Sequence, residues 1–199
     1  MRVKTVMLIA ASTVVLLMWA LPGAVEEQQR EEHKPVLVVM DVQNIWIPMM
    51  SEEDRESAPQ KINESIALFR EFGYPIIRVY HSDLERGPEP NTEPFEFPAS
   101  IATTDDDQKI VKNYASAFTK TNLEQILREN GYDTGFLCGL SATGCVLATY
   151  FGAMEREFTV LMVVGALLSH DASYTKMIED ICYSMTIEKL RETLENLSQ

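Results

Sequence analysis

Three residues whose side chains could act together in catalysis each stand at the end of a predicted β-strand. Asp41 follows the apolar run 35–40, Lys112 ends the short run 109–112, and Cys145 comes just after the run 134–140. Because the carboxyl ends of parallel strands meet at one edge of a sheet, we expect these side chains to lie close together. An aspartate can accept the proton of a thiol, and a lysine can stabilise the thiolate. The three residues therefore predict covalent acyl transfer, with Cys145 as the nucleophile.

Each of the three residues also has a simpler interpretation when it is taken alone. Cys145 lies where a predicted strand turns into a predicted helix, and the free N–H groups and dipole of a first helical turn favour a thiolate and could hold an oxyanion. An ordinary buried cysteine would fit the same position. Asp41 could cap a loop or helix, and Lys112 could be solvated. It is their shared edge of the sheet that favours catalysis.

Predicted strands and helices alternate along the chain. Continuous apolar runs rich in β-branched residues are typical of buried parallel strands. The alternation predicts an α/β fold of three layers, a doubly wound, six-stranded, mostly parallel sheet with helices on both faces. A long proline-rich segment, 84–108, is predicted to be a functional loop. The predicted strands are 35–41, 75–80, 109–112, 134–140, 159–168 and 181–187, and the predicted helices are 59–72, 122–130, 143–157, 169–179 and 188–197.

The N-terminal residues have the organisation of a secretory signal. A short positive stretch precedes the apolar run 6–21, which ends in the small and helix-breaking residues 22–24. This pattern predicts a signal peptide at 1–24, followed by a polar linker at 25–34 and the folded domain at 35–199. An uncleaved anchor is the alternative, because the run approaches the length that spans a bilayer. In both cases the domain is expected to be exported, as a periplasmic or secreted protein.

Composition narrows the expected partners. The chain has 199 residues and a formal net charge of −13. It has no basic stripe, which argues against a nucleic-acid partner and favours a small-molecule substrate. Contact with a membrane is expected only if the N-terminal segment is retained. Cys138, Cys145 and Cys182 are an odd number, so at least one is unpaired in a monomer.

Three motifs in the same order resemble the isochorismatase-like hydrolases, also called the cysteine hydrolase family. The motifs are Val-Met-Asp-Val-Gln-Asn at 39–44, Val-Lys-Asn-Tyr-Ala-Ser-Ala-Phe at 111–118 and Cys-Gly-Leu-Ser-Ala-Thr-Gly-Cys-Val at 138–146. The resemblance runs from about residue 35 to the C-terminus. It implies a six-stranded parallel sheet of the isochorismatase-like fold.

The resemblance also implies a catalytic triad of Asp41, Lys112 and Cys145. Members of the family that have the cysteine mostly hydrolyse amides through a thioester intermediate, so the expected activity is that of a cysteine amidohydrolase acting on a small amide or a related C–N bond. By the same similarity, the peptide bond between Ser141 and Ala142 is expected to be cis. The backbone N–H groups of Ala142 and Cys145 are then expected to form the oxyanion hole.

Departures from the family pattern narrow the activity further. Nicotinamidases bind a metal through an aspartate and two histidines, whereas this chain has His81 and Asp83 without a second histidine nearby. A zinc-type site needs three or four ligands, so we expect no metal and no cofactor. Isochorismatases proper cleave a vinyl ether and typically lack the cysteine. A vinyl-ether hydrolase and a non-catalytic exported binding protein on the same scaffold remain the alternatives.

The remaining expectations concern the substrate pocket and assembly. Because relatives commonly form oligomers, the resemblance implies a homo-oligomer. Polar and aromatic residues near the three motifs are predicted to line the pocket, although each aromatic residue could equally be part of the core. These residues are Gln43, Trp46, His81, Tyr114, Phe118 and Tyr150.

Overall fold

A computed structural model describes residues 33–83, 85 and 87–198. The signal peptide or anchor and most of the linker are predicted for residues that lie outside this part of the chain. Within the described residues, no helix is both long enough and apolar enough to cross a membrane. The strands are β1 Pro35–Met40, β2 Ile76–His81, β3 Gln108–Lys112, β4 Thr134–Leu140, β5 Thr159–Leu168 and β6 Ser184–Met185, and the helices are α1 Glu52–Glu71, α2 Leu123–Asn130, α3 Leu147–Met154, α4 Ala172–Ile181 and α5 Ile187–Leu197.

The six strands form one sheet in the order β3-β2-β1-β4-β5-β6, and every neighbouring pair is parallel. Helices α1 and α5 pack on one face, and α2, α3 and α4 pack on the other. This confirms the predicted three-layer, doubly wound fold. The chain order reverses between β1 and β4, and in such sheets the crevice beyond the strands at this point is where ligands bind. Asp41 and the segment leading to Cys145 follow directly from these two strands.

Several elements differ from the sequence-based boundaries, and for two of them, α1 and β6, the structure shows a local cause. Helix α1 begins seven residues before the predicted start at 59, because the Ser51 hydroxyl caps it by accepting the Asp54 N–H at 3.2 Å and its first turn is acidic. The apolar periodicity used for the prediction starts only later in this helix. Strand β6 has two residues instead of seven, because α4 continues to Ile181.

The ends of β1 and β4 approach each other unusually closely. Gly139, near the end of β4, pairs with Met40 and has a φ of +110°. A β-carbon at Gly139 would lie 2.1 Å from the carbonyl oxygen of Met40, so no other residue fits without displacing backbone. Asp41, the residue that follows β1, has a φ of +54°. The close approach therefore sets Asp41 beside the turn that carries Cys145.

Candidate active site

The structure brings Asp41, Lys112 and Cys145 together at the carboxyl edge of the sheet. The Lys112 Nζ lies 2.8 Å from the Asp41 Oδ2, and the two residues are only 1% and 2% exposed. A carboxylate oxygen of Asp41 also lies within 4.8 Å of the Cys145 Sγ. Removing two charges from water is costly, and the ion pair offsets that cost. The three residues thus form one cluster, in which Asp41 and Lys112 are buried and Cys145 is partly buried.

The electrostatics of the cluster favour a neutral thiol over a resting thiolate. Burial raises the pKa of Cys145 to about 11; the Asp41 carboxylate adds to this rise, and Lys112 opposes it. The thiolate expected from the start of the helix is therefore not the resting form at neutral pH, because burial and the neighbouring carboxylate raise the pKa of Cys145. Burial also raises the pKa of Asp41, with Lys112 opposing, which makes this carboxylate a stronger base than an exposed aspartate.

A pocket of about 220 Å³ opens onto the cluster. Its size corresponds to roughly seven water-sized volumes at ~30 Å³ each, which suits a small molecule. Within the described residues its lining combines reactive side chains with apolar ones. The lining residues are Asp41, Trp46, Met50, His81, Leu140, Ser141 and Cys145.

Two of the predicted pocket residues, Trp46 and His81, line this pocket, and Gln43 lies behind it. Gln43 is fully buried, and its side-chain amide donates to the His81 carbonyl oxygen at 3.1 Å and accepts the His81 N–H at 2.8 Å. Gln43 thus holds a pocket residue without lining the pocket. Tyr114 is not among the lining residues. Its hydroxyl accepts a hydrogen bond from the Lys120 Nζ at 2.8 Å.

Phe118 and Tyr150 belong to the core, which corrects the prediction that they contact substrate. Phe118 packs with Leu123 and Leu127 of α2 beneath the start of β1. Tyr150 is buried in α3, and its hydroxyl accepts the Tyr183 N–H at 3.0 Å. Both aromatic rings are buried by packing on one face of the sheet. Their position in or near a motif could not tell a core residue from one that contacts substrate.

Three lining residues were missed by the sequence analysis. Leu140 and Ser141 lie inside the Cys145 motif itself, so the motif was the signal that could have identified them. Met50 follows directly after the short helical turn Ile47–Met49. Neither a motif nor a regular spacing of apolar residues marks this position in the sequence.

The turn before Cys145 contains a cis peptide bond one position earlier than expected. The cis bond joins Leu140 to Ser141, so the expectation for Ser141–Ala142 is wrong. Most cis bonds precede a proline, and neither bond does, so the sequence held no local signal for the choice. Ser141 lines the pocket, whereas Ala142 is fully buried and does not. None of the hydrogen bonds found among the described residues uses the Ser141 N–H.

His81 contacts the cluster of Asp41, Lys112 and Cys145 through Lys112. Its Nδ1 lies 3.0 Å from the Lys112 Nζ. Burial, followed by the Lys112 charge, lowers the pKa of His81, so the imidazole is neutral at pH 7. His81 was predicted to line the pocket, whereas its contact with Lys112 was not predicted from the sequence.

The residues best arranged to hold a metal are Asp41, His81 and Cys145. One potential ligand atom of each lies within 4.8 Å of the others. The Lys112 ammonium group, however, already contacts both Asp41 and His81 Nδ1, and a divalent cation would have to displace it. The expectation that the site works without a metal stays a prediction.

The three described cysteines are all free thiols. Cys138 is fully buried in β4, with its Sγ 3.8 Å from the Val38 carbonyl oxygen. Cys182 packs partly against the core. Of the three, Cys145 is the one that lines the pocket, so it alone combines an unpaired thiol with access for a substrate.

Comparison with known proteins gives matches across most of the domain. The Isochorismatase domain family matches residues 35–188. An uncharacterized isochorismatase family protein of Bacillus subtilis is 31% identical over 121 residues, which are 59% of this chain and 65% of that protein, so the match spans just under two thirds of the relative. Shorter segments match a maleamate amidohydrolase of Pseudomonas putida, 42% identical over 52 residues, or 26% of this chain and 24% of that one. An N-carbamoylsarcosine amidase of Arthrobacter is 45% identical over 58 residues, or 29% of this chain and 22% of that one.

Solved structures of proteins with related names have the same fold as this chain. An isochorismatase-like hydrolase from Alkaliphilus metalliredigens superposes with a TM-score of 0.74 at 19% identity, covering 82% of this chain and 92% of that one. An N-carbamoylsarcosine amidase from Thermoplasma acidophilum superposes with a TM-score of 0.66 at 27% identity, covering 77% and 95%. With the fold, the arrangement of Asp41, Lys112 and Cys145 and the domain match in agreement, the chain belongs to the isochorismatase family of hydrolases.

Proposed function

We propose that this protein is a cysteine amidohydrolase that cleaves a small amide or a related C–N bond through a thioester. The observation that carries the proposal is the meeting of Asp41, Lys112 and Cys145 at one small pocket. These three side chains supply a base, a buried cation and a nucleophile, which are the groups that acyl transfer needs.

In the first half of the reaction, the Cys145 Sγ attacks the substrate carbonyl carbon while Asp41 accepts the thiol proton. Because the resting thiol is neutral, proton removal accompanies attack. Lys112 stabilises the Asp41 carboxylate and the developing negative charge. The tetrahedral intermediate then collapses, the C–N bond breaks, and the leaving nitrogen takes the proton from Asp41. The products of this half are an amine or ammonia and a thioester on Cys145.

In the second half, water hydrolyses the thioester. Asp41, ionised again, accepts a proton from the water as its oxygen attacks the thioester carbonyl carbon. The C–S bond breaks, and the proton returns from Asp41 to the sulfur. The carboxylic acid product leaves, and Cys145 is again a neutral thiol beside an ionised Asp41.

The oxyanion formed in both halves requires N–H donors. The expected donors were the Ala142 and Cys145 backbone groups. Ser141 lines the pocket, its N–H has no hydrogen-bond partner among the described residues, and Ala142 is buried behind it. We therefore propose the Ser141 and Cys145 N–H groups as the oxyanion hole, with Ala142 supporting the turn.

The relatives support C–N cleavage over vinyl-ether cleavage. Two proteins with matching segments are named as a maleamate amidohydrolase and an N-carbamoylsarcosine amidase, and a structural neighbour has the second name. A vinyl-ether hydrolase would need Asp41 as an acid and would have no use for a thiol. The contact of Cys145 with Asp41 inside the pocket favours the thiol mechanism.

An ammonia-release screen over small amides and ureido compounds tests the function. We expect the wild type to release ammonia from at least one compound, and Cys145→Ala to reduce release to the uncatalysed level, because the thioester cannot form. Cys138→Ala is the matched control: it also removes a free thiol, but one buried in β4, away from the pocket.

The outcomes separate the candidate functions. An active Cys145→Ala variant would support the vinyl-ether mechanism, with Cys145 incidental. No turnover by the wild type across the panel would support the non-catalytic binding protein. Export and homo-oligomer formation stay predictions, since the described residues bear on neither.

A further inference from the structure

His81 is held in place by contacts with three residues, Gln43, Trp46 and Lys112. Gln43 hydrogen-bonds to both its backbone N–H and its carbonyl oxygen, at 2.8 and 3.1 Å. Its ring lies beside the Trp46 ring, with centroids 6.0 Å apart. Its Nδ1 lies 3.0 Å from the Lys112 Nζ. The backbone and one ring nitrogen of His81 are thus fixed, and the other nitrogen, Nε2, remains available.

The contact with Lys112 fixes which nitrogen of His81 carries the proton. A lysine ammonium group has donors and no acceptor, so Nδ1 must accept through its lone pair. A neutral imidazole then carries its proton on Nε2. The lowered pKa of His81 agrees with the neutral form. His81 therefore presents an N–H donor at Nε2, and none of the hydrogen bonds among the described residues uses it.

The position of His81 in the pocket indicates what that donor would meet. One of the two ring nitrogens of His81 lies within 4.8 Å of the Cys145 sulfur. The imidazole ring that carries the donor therefore lines the same pocket as the nucleophile. Apart from the reacting groups and Ser141, the rest of the lining is Trp46, Met50 and Leu140. The indole nitrogen of Trp46 is buried, so these three present mainly apolar surface. Ser141 belongs to the turn proposed to hold the oxyanion, so among the described lining residues His81 is the polar side chain outside that turn and the reacting groups.

We propose that the Nε2–H of His81 binds a second oxygen acceptor on the substrate, a carbonyl or carboxylate oxygen on the first or second carbon beyond the scissile carbonyl. This inference rests on the proposed amidohydrolase function and names its substrate class: short amides with a second acyl oxygen. A neutral imidazole donor suits either kind of oxygen. It orients the substrate so that the scissile carbonyl faces Cys145 and the second acyl group faces His81.

Three amides of nearly the same shape test the inference. Isovaleramide has two methyl groups where malonamide has a second amide and malonamate has a carboxylate. We expect the wild type to prefer malonamide or malonamate over isovaleramide by about tenfold or more in kcat/KM, the usual worth of one hydrogen bond. A preference for malonamate identifies a carboxylate as the acceptor, and a preference for malonamide identifies a neutral carbonyl.

Two substitutions at His81 separate substrate binding from a structural role. His81→Phe keeps a ring and removes the donor, so the preference should fall to about one. His81→Gln places an amide N–H near the position of Nε2 and should retain part of the preference. A role in the fold alone would lower kcat/KM for all three amides equally, which would overturn the proposal. The rate of Cys145 alkylation by iodoacetamide reports whether the cluster remains intact in each variant.

Protection of Cys145 from alkylation tests the acceptor site without requiring that the protein hydrolyse an amide. Malonate, which has two acyl groups and no scissile C–N bond, should protect Cys145 from iodoacetamide in the wild type and not in His81→Phe. If no amide is hydrolysed but malonate protects in this way, the proposed function fails and the acceptor site stands. If isovaleramide is hydrolysed as well as the other two and malonate gives no protection, the acceptor site is wrong and the amidase proposal stands.

Discussion

Replacing Asp41 with asparagine should nearly abolish amide hydrolysis while making Cys145 react faster with iodoacetamide. Loss of a general base typically lowers turnover about a hundred- to ten-thousand-fold. The thiol, however, should become more acidic. Burial and the Asp41 carboxylate raise the pKa of Cys145, and Lys112 lowers it, so removing the carboxylate's charge takes away one raising cause and leaves the lowering cause in place. The two effects have opposite signs and can be measured on one variant.

The change in the pKa of Cys145 can be measured directly from the pH dependence of its alkylation rate. In the wild type, the rate should still be rising with pH well into the alkaline range, because the pKa of Cys145 is raised to about 11. In Asp41→Asn the same curve should move to lower pH. A tenfold gain in thiolate at a fixed lower pH should increase the rate only about threefold, because a more acidic thiol gives a weaker nucleophile.

A matched control and a contrary outcome are available for Asp41→Asn. Asp54 is another buried carboxylate, but it accepts hydrogen bonds from the Ser169 N–H and the Thr175 hydroxyl and is not among the groups that change the pKa of Cys145. Asp54→Asn should leave the alkylation curve in place. If alkylation and turnover both fall in Asp41→Asn, then Asp41 is needed to form a thiolate in the resting protein, and the account of a neutral thiol is wrong.

Replacing Gly139 with alanine should destabilise the whole domain. The new β-carbon would lie 2.1 Å from the Met40 carbonyl oxygen and 2.8 Å from the Met40 nitrogen, both backbone atoms of the central strand β1. Either β1 or β4 must move, and both carry the site. We expect a loss of at least about 3 kcal/mol in the free energy of unfolding, measured by urea denaturation, together with a large loss of hydrolysis.

Gly73→Ala is the control for Gly139→Ala. It measures the cost of placing a side chain at a positive φ when there is no steric clash. Gly73 also has a positive φ, +73°, but an added β-carbon there would meet nothing within 4 Å. Its replacement should cost only about 1–2 kcal/mol, the usual penalty for a side chain in the left-handed region. Equal destabilisation by the two substitutions would contradict the claim that close approach of β1 and β4 requires Gly139.

The positions of the strands, and the edge of the sheet at which their ends meet, were predictable from the sequence. Apolar runs located the central strands to within a residue or two, and β4 and β5 have the predicted bounds. Because all strands are parallel, their ends could only meet at one edge, and that constraint brought Asp41, Lys112 and Cys145 together before any distance was known.

Features that depend on packing or on a single contact were not predictable. Phe118 and Tyr150 lie near the motifs in sequence, yet each side chain packs on the sheet face. The position of the cis bond and the contact between Lys112 and His81 depend on atomic geometry in the turn and the pocket. The raised pKa of Cys145 follows from burial, which the glycine-rich motif did not indicate.

The most direct test of the thioester mechanism is to trap an acyl group on the enzyme. A reaction with an amide that the ammonia screen identifies is quenched in acid during steady-state turnover, and the peptides are analysed by mass spectrometry. We expect the mass of the substrate acyl group on the peptide that contains Cys145, no such mass on Cys138 or Cys182, and no ammonia release by Cys145→Ala. An acyl group on another residue, or continued ammonia release by Cys145→Ala, would contradict the mechanism.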